Sequence, residues 1–287
     1  MTPTPTVLEL HAGALRLSMR PDLGAAIAGL WRADVPVLAS VDDPLALSAA
    51  DESGGFVLAP YGHRLGLRRF RWLGRDYTTL PNVEGSAHSL HGVAWRRPWT
   101  VVQSDAARAT LEYRHAADGH WPFDFVVSQQ LQLTPEALRI DLVITNTGSV
   151  PQPAGLGWHP WFVKRARSRL HVELGERWEN DPGTRLPTRR VPQPGLDGDV
   201  AHMAFDHCFE GWHGAARIRD ERMSLRLLSS LPYLVVCTPE ASERFSVAPH
   251  SHVSNAIHMA DPLTHGLRAL QQGQSLDGWV TLEIQGV

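Results

Sequence analysis

Cysteine and lysine are the scarcest chemistry-bearing residues in this 287-residue chain. Cys208 and Cys237 are its two cysteines, too few for a disulfide framework or a cysteine-held zinc cluster. Lys164 is the single lysine, so Schiff-base chemistry would have to pass through that one amine. No glycine-rich loop ends in Lys-Ser or Lys-Thr, which argues against nucleotide hydrolysis. Basic charge is not in excess: the formal net charge is −3, and no field is expected to draw nucleic acid or anionic lipid. No apolar run is long enough to span a bilayer, and the polar, proline-bearing start from Met1 to Leu8 does not read as a secretory leader. The cytoplasm is therefore the expected compartment. Long amphipathic helices with caps are also missing.

What is present is the material of an all-β fold. Hydrophobic residues make up 43%, enough for a sizeable core, and 24 glycines and 21 prolines are spread almost evenly, as punctuation between short strands. Strand-like runs are predicted at 15–19, 71–77, 100–102, 109–114, 123–133, 138–146, 170–174, 223–228, 233–238 and 280–284. Leu138, Ile140, Leu142 and Ile144 alternate with Arg139, Asp141, Val143 and Thr145, the period of a half-buried strand. Short helical turns are expected near Pro44–Ala50, and Asp181–Val200, rich in Pro, Gly and Asp, reads as a long surface loop. The expectation is one domain over 1–287, a large antiparallel β sandwich.

Two segments carry chemistry. Ser89-Leu90-His91-Gly92 and Gly157-Trp158-His159-Pro160-Trp161-Phe162 each set a histidine among apolar and turn-forming residues. Imidazole titrates near neutral pH, so a positioned pair can move protons. Aromatic flanks offer flat faces to a sugar ring, and Trp158 and Trp161 are the best placed of the ten tryptophans.

In order along the chain come Phe56–Arg64 (FVLAPYGHR), 70–77 (FRWLGRDY), Asn82, Leu90-His91-Gly92, Trp95, Trp99, 157–162 (GWHPWF), Leu186-Pro187-Thr188 and 205–212 (FDHCFEGW). This ordered set resembles the aldose 1-epimerase (galactose mutarotase) family over nearly the whole length. The resemblance implies a β supersandwich with a sugar cleft, and anomer interconversion of a free aldose without metal or organic cofactor. By the same resemblance His159 is the family's acid, His91 lies beside it at the ring oxygen, and Arg64 and Asp206 hold sugar hydroxyls. The small-molecule sugar is then the expected partner, with no nucleic acid and no membrane; the sequence carries no signal for oligomeric state.

Departures from the family pattern are equally specific. Its general base is a glutamate before a proline near the C-terminus, where this chain reads Val247-Ala248-Pro249-His250-Ser251-His252. Loss of such a base typically forfeits a factor of roughly 10²–10⁴. His63 stands where the family has asparagine before the arginine. His250 lies two residues after Ala248 and shares its face in an extended strand, so it is the expected replacement base. Glu240 and Glu243 are expected to be solvated. His250, His252, His63, His91 and His159 also offer imidazoles to zinc, but no metal-binding spacing supports it and none is expected. The Arg64, Arg68, Arg69 and Arg71 cluster hints at an anionic substrate. A sugar-binding protein without catalysis, or another reaction on a sugar in the same cleft, are the competing functions.

Overall fold

The computed structural model describes residues 5–286. Among them two large antiparallel sheets face each other, one of twelve strands and one of nine, with three two-stranded ribbons attached. Helical structure is limited to short 3-10 turns, including Pro44–Ala46 and Ala50–Glu52 in the region expected to turn. The all-β supersandwich expected from the sequence is therefore the fold.

Alternation builds the core. Leu138, Ile140, Leu142 and Ile144 point inward and are essentially buried, while their neighbours stay half-exposed. From the larger sheet Leu17, Leu30, Val57, Trp158, Phe209, Leu234, Val236, Phe245 and Val247 meet them across the interface. Burial of such side chains, each stabilising by about 1.5–3 kcal/mol, supplies most of the drive to fold.

Seven short strands position the site. They are β1 (Gly55–Leu58), β2 (Arg64–Leu65), β3 (Ser89–Leu90), β4 (Gly157–Pro160), β5 (Asp206–Glu210), β6 (Tyr233–Cys237) and β7 (Arg244–His250). In the larger sheet the central order is β1-β4-β7-β6-β5, and β2 pairs with β3 in a ribbon above it. Because Phe245 and Val247 of β7 enter the inter-sheet core, Arg244, Ser246, Ala248 and His250 take the opposite, outer face. That face is not bare. Phe56 and Leu58 of β1 pack with Trp95, and Ala248, Val235 and Cys208 pack with Val253, Ala256 and Leu267.

Three expectations need correction. Arg71–Tyr77 is not one strand but a hairpin, Arg69–Trp72 against Arg75–Thr78, turned at Leu73-Gly74 where both residues have positive φ. Asp181–Val200 is not a plain loop, because Pro187–Pro192 and Gly195–Asp199 end the two large sheets as edge strands. Edge strands have few buried side chains to impose an apolar alternation, which is why their composition looked loop-like. Trp158, expected beside a sugar, faces the inter-sheet core and is 1% exposed.

Candidate active site

Register lays the site across the outer face. Phe56 of β1 is opposite His159 of β4. Gly157 pairs with His250, and Phe162 with Phe245, so the antiparallel count sets His159 opposite Ala248. Ala248 is opposite Val235, and Val235 opposite Cys208. One row thus runs from an aromatic ring through imidazole to a buried methyl, an isopropyl and a thiol. Ser246, one step along β7, brings its hydroxyl to 3.3 Å from His159 Nδ1.

His91 arrives from above. The β2–β3 ribbon ends in His63 and His91, both held in the left-handed backbone region (φ 58° and 63°). Such a conformation costs a non-glycine residue about 1 kcal/mol and persists where neighbours impose it. Here they do. His91 N–H donates to His63 O at 2.8 Å, and His63 N–H donates to His91 Nδ1 at 3.2 Å. Asn82 completes the clamp: its amide donates to Leu90 O at 2.7 Å and Gly92 O at 3.0 Å and accepts from Leu90 N–H at 2.9 Å. Trp95 Nε1 donates to the same two carbonyls.

The result is a right-angled imidazole pair. The rings of His91 and His159 are 5.1 Å apart at 89°. Phe56 stacks on His159 at 5.0 Å and meets His91 edge-on at 5.8 Å. Trp161 packs on His159 at 4.9 Å. Because His91 Nδ1 accepts a backbone N–H, its neutral ring carries the proton on Nε2. Burial, reinforced by the neighbouring His159 and His63, pushes His91 well below the ordinary imidazole range. Burial pushes His159 down to about 3, with His63 and Arg244 contributing. Both rings are neutral at neutral pH.

A charged lattice adjoins the pair. Arg64 Nη1 donates to His63 Nε2 at 2.9 Å, while Asp206 Oδ1 lies 3.4 Å from the same nitrogen. A guanidinium only donates, so the shorter contact fixes Nε2 as an acceptor and His63 Nδ1–H as donor to Ser254 Oγ at 2.5 Å. Asp206 Oδ2 accepts from Arg64 at 2.9 Å and from Arg185 at 2.8 Å. Burial opposes its charge, but Arg64, which donates to Oδ2, helps hold the carboxyl far below the usual carboxylate range. Arg185, Asp206 and Cys237 also line an open hollow of ≈ 650 Å³, within the range of small-molecule sites.

The expected residues therefore divide. His91, His159, Trp161, His63, Arg64 and Asp206 come together on one face. Trp158 does not join them. His250 shares that face but is 1% exposed. Its Nδ1–H donates to Ala248 O at 2.9 Å, and its ring lies against Gly62, which leaves Nε2 buried without a partner. His252 is a latch: Nδ1–H donates to Val253 O at 2.7 Å and Nε2 accepts from Gly62 N–H at 3.0 Å. Arg69 and Arg71 are exposed on the hairpin and Arg68 caps Ser86 O, so of the arginine cluster Arg64 alone reaches the imidazoles. Glu240 and Glu243 are exposed. Sequence reading missed Asn82, Phe56, Arg185, Ser246 and Ser254 as site residues; the first two lie within the ordered motifs, and the others have no local signature.

Comparison with known proteins adds a second line. The family model described as aldose 1-epimerase matches residues 6–283. The uncharacterized protein YphB of Escherichia coli (strain K12) is 28% identical over 297 residues, covering 98% of this chain and 99% of its own. A crystal structure from E. coli K12, assigned there as a candidate aldose 1-epimerase, superposes with a TM-score of 0.89 at 27% identity, covering 99% of this chain and 100% of that one. A galactose mutarotase-like protein from Clostridium acetobutylicum shares the fold with a TM-score of 0.86 at 18% identity, over 99% of this chain and 98% of its own.

Proposed function

The chain belongs to the aldose 1-epimerase family, and from that premise we propose that it interconverts the anomers of an aldose. The observation that carries the proposal is the right-angled contact of His91 and His159, 5.1 Å apart beside the Arg64–Asp206 pair. Anomer exchange removes a proton from the anomeric hydroxyl, breaks the bond between the anomeric carbon and the ring oxygen, and returns a proton to that oxygen; the open aldehyde then rotates and the same transfers run in reverse to close the other anomer.

Neutral imidazoles suffice for this cycle. With Nδ1–H given to Ser246 Oγ, the Nε2 lone pair of His159 takes the anomeric proton. A base of pKa about 3 is close in strength to a carboxylate, so burial makes His159 a counterpart of one rather than a stronger base. His91 Nε2–H hydrogen-bonds the ring oxygen as the bond breaks and negative charge develops there. The proton on His159 then passes to that oxygen, and the ring returns to neutrality. One imidazole serves as base and then as acid. Arg64 and Asp206 hold hydroxyls and fix the ring over the pair. In this reading Ala248, directly across from His159, occupies the place of the family's general-base glutamate. His250, closed over by Gly62, supports the floor and stays out of the proton transfers.

A second reading draws on Ala248 itself. Its methyl is fully buried among Val235, Cys208 and Val253 and offers no proton-accepting group. A sugar-binding protein without catalysis would be built this way. Exchange NMR on a panel of freshly dissolved aldoses that bind the protein separates the two. The proposal requires anomer exchange above the buffer rate and a fall of roughly 10²–10⁴ in His159→Ala. Exchange at the buffer rate, with sugar binding intact, would overturn it in favour of binding alone.

A further inference from the structure

We infer that the aldose taken by this site carries an acidic group, received by Arg244; the inference rests on the site assignment made above. Arg244 opens β7 on the same face as Ser246, Ala248 and His250. Its guanidinium carbon sits 4.5 Å over the ring of Trp161, whose ring is 4.9 Å from that of His159. Two residues further along the strand, about 7 Å on, Ser246 touches His159 Nδ1. Arg244 and the reacting pair are therefore about one sugar ring apart.

What marks Arg244 is its place on Trp161, beside the imidazole pair, with no anion in contact. Among the described residues no carboxylate lies within ion-pair distance of it. Its partners are carbonyl oxygens, Asp51 O at 2.8 Å and Ser53 O at 3.5 Å, and both are engaged through its terminal nitrogens. The carboxylates of Asp51 and Glu52 are exposed and therefore screened, and that of Glu52 is taken by Ser48. Arg64 and Arg185, by contrast, share Asp206. Three guanidiniums thus surround neutral imidazoles with one carboxylate between them. A half-buried cation with no carboxylate in direct contact is costly to hold, and burial pulls the Arg244 pKa downward against the weaker, exposed charges of Asp51 and Glu52. A carboxylate or phosphate on the sugar answers it with charge-assisted, two-pronged hydrogen bonds. Trp161 keeps the guanidinium plane fixed beneath the ligand.

The shared chemistry is an oxyanion on the sugar ring's periphery, and its two sources are distinguishable. Anomer-exchange rates are measured by NMR on galactose and glucose, on galacturonate and glucuronate, and on galactose 6-phosphate and glucose 6-phosphate. We expect kcat/KM at least tenfold higher for one acidic set than for the neutral sugars, with the advantage shrinking as salt is raised. Arg244→Gln is expected to abolish that ratio chiefly through KM, and Arg244→Lys to restore part of it. Equal or better turnover of the neutral sugars by the unmodified protein overturns the inference and leaves the epimerase assignment standing. So does an Arg244→Gln variant that slows both classes alike. Failure to accelerate any of the six sugars overturns both.

Discussion

Asn82 belongs to no reacting group, yet its amide makes three of the hydrogen bonds that fix the backbone on either side of His91. His91 needs that support because its left-handed conformation is intrinsically unfavourable. Asn82→Ala leaves Leu90 N–H short of its side-chain acceptor, a loss of about 1–3 kcal/mol. The larger effect falls on catalysis, since a displacement of about 1 Å costs on the order of 10²-fold. The expected outcome is a melting temperature lowered by a few degrees and kcat lowered about tenfold to a hundredfold, with KM changed far less. Exchange NMR over a range of sugar concentrations checks this, and a matched fall in stability with kcat intact would reduce Asn82 to a loop residue. The same residue marks how far single positions were legible. His91 and His159 stood out because each sits in a short motif of unusual composition. Ser246, Ser254 and Arg185 join them from strands and loops far away in sequence, and a serine or arginine there looks like any other. Arg244 is a further case, for nothing local in the sequence shows that it sits over Trp161 with no carboxylate in contact.

At the scale of strands, the central sheet explains both the site and the difficulty of reading it. Leu138–Thr145 announced itself by alternation because one face is buried and one is not. The segments β1, β4 and β7 are covered on both faces, by the core on one side and by the loop packing around Trp95, Val253 and Leu267 on the other. Strands buried on both faces lose their period-two signal. The strands that carry the candidate site were thus the ones least visible as strands, although their motifs were visible as motifs. One contact tests how tightly the covering loops are seated. A Cβ added at Gly62 would lie 2.2 Å from His250 Cδ2 and 2.6 Å from Nε2. The His250 ring has no room to retreat, since Nδ1–H is bound to Ala248 O. Gly62→Ala is expected to cost about 1–3 kcal/mol by overpacking. In the double variant Gly62→Ala/His250→Ala the clash is gone, so the two effects should fall short of additivity by at least about 0.5 kcal/mol. Denaturant unfolding of the four proteins measures the coupling. Strict additivity would mean that the loop lifts away from the sheet and that His250 is open to ligand.

For the molecule as a whole, the concentration of imidazole under these loops makes acid the main threat to the fold. His63, His91, His159, His250 and His252 are all shifted downward, with burial the leading cause each time. The unfolded chain takes up protons at these positions near pH 6.5, whereas folded His252 waits until about 4 and folded His159 until about 3. Above pH 6.5 both states are neutral at these rings and stability does not depend on them. Below it the unfolded state binds more protons than the folded one, so stability falls as pH falls, by up to about 1.4 kcal/mol per pH unit for each such ring. Asp206 works in a lower window. Its depressed carboxyl stabilises the fold above the unfolded carboxylate value near 3.8 and begins to give that up only below it, losing it fully as pH falls through its lower folded value. Melting temperature should therefore be level from pH 8 to 7 and fall steeply between 6.5 and 4, before the carboxylates titrate. Replacing the latch in His252→Gln removes one titrating ring while keeping a polar side chain, and the acid slope should become shallower even though stability at pH 7.5 drops. A melting temperature that stays level down to pH 5 would mean that water or counter-charge reaches these rings. In that case His159 would be protonated near neutrality, and its first act on a sugar would be to give a proton instead of taking one.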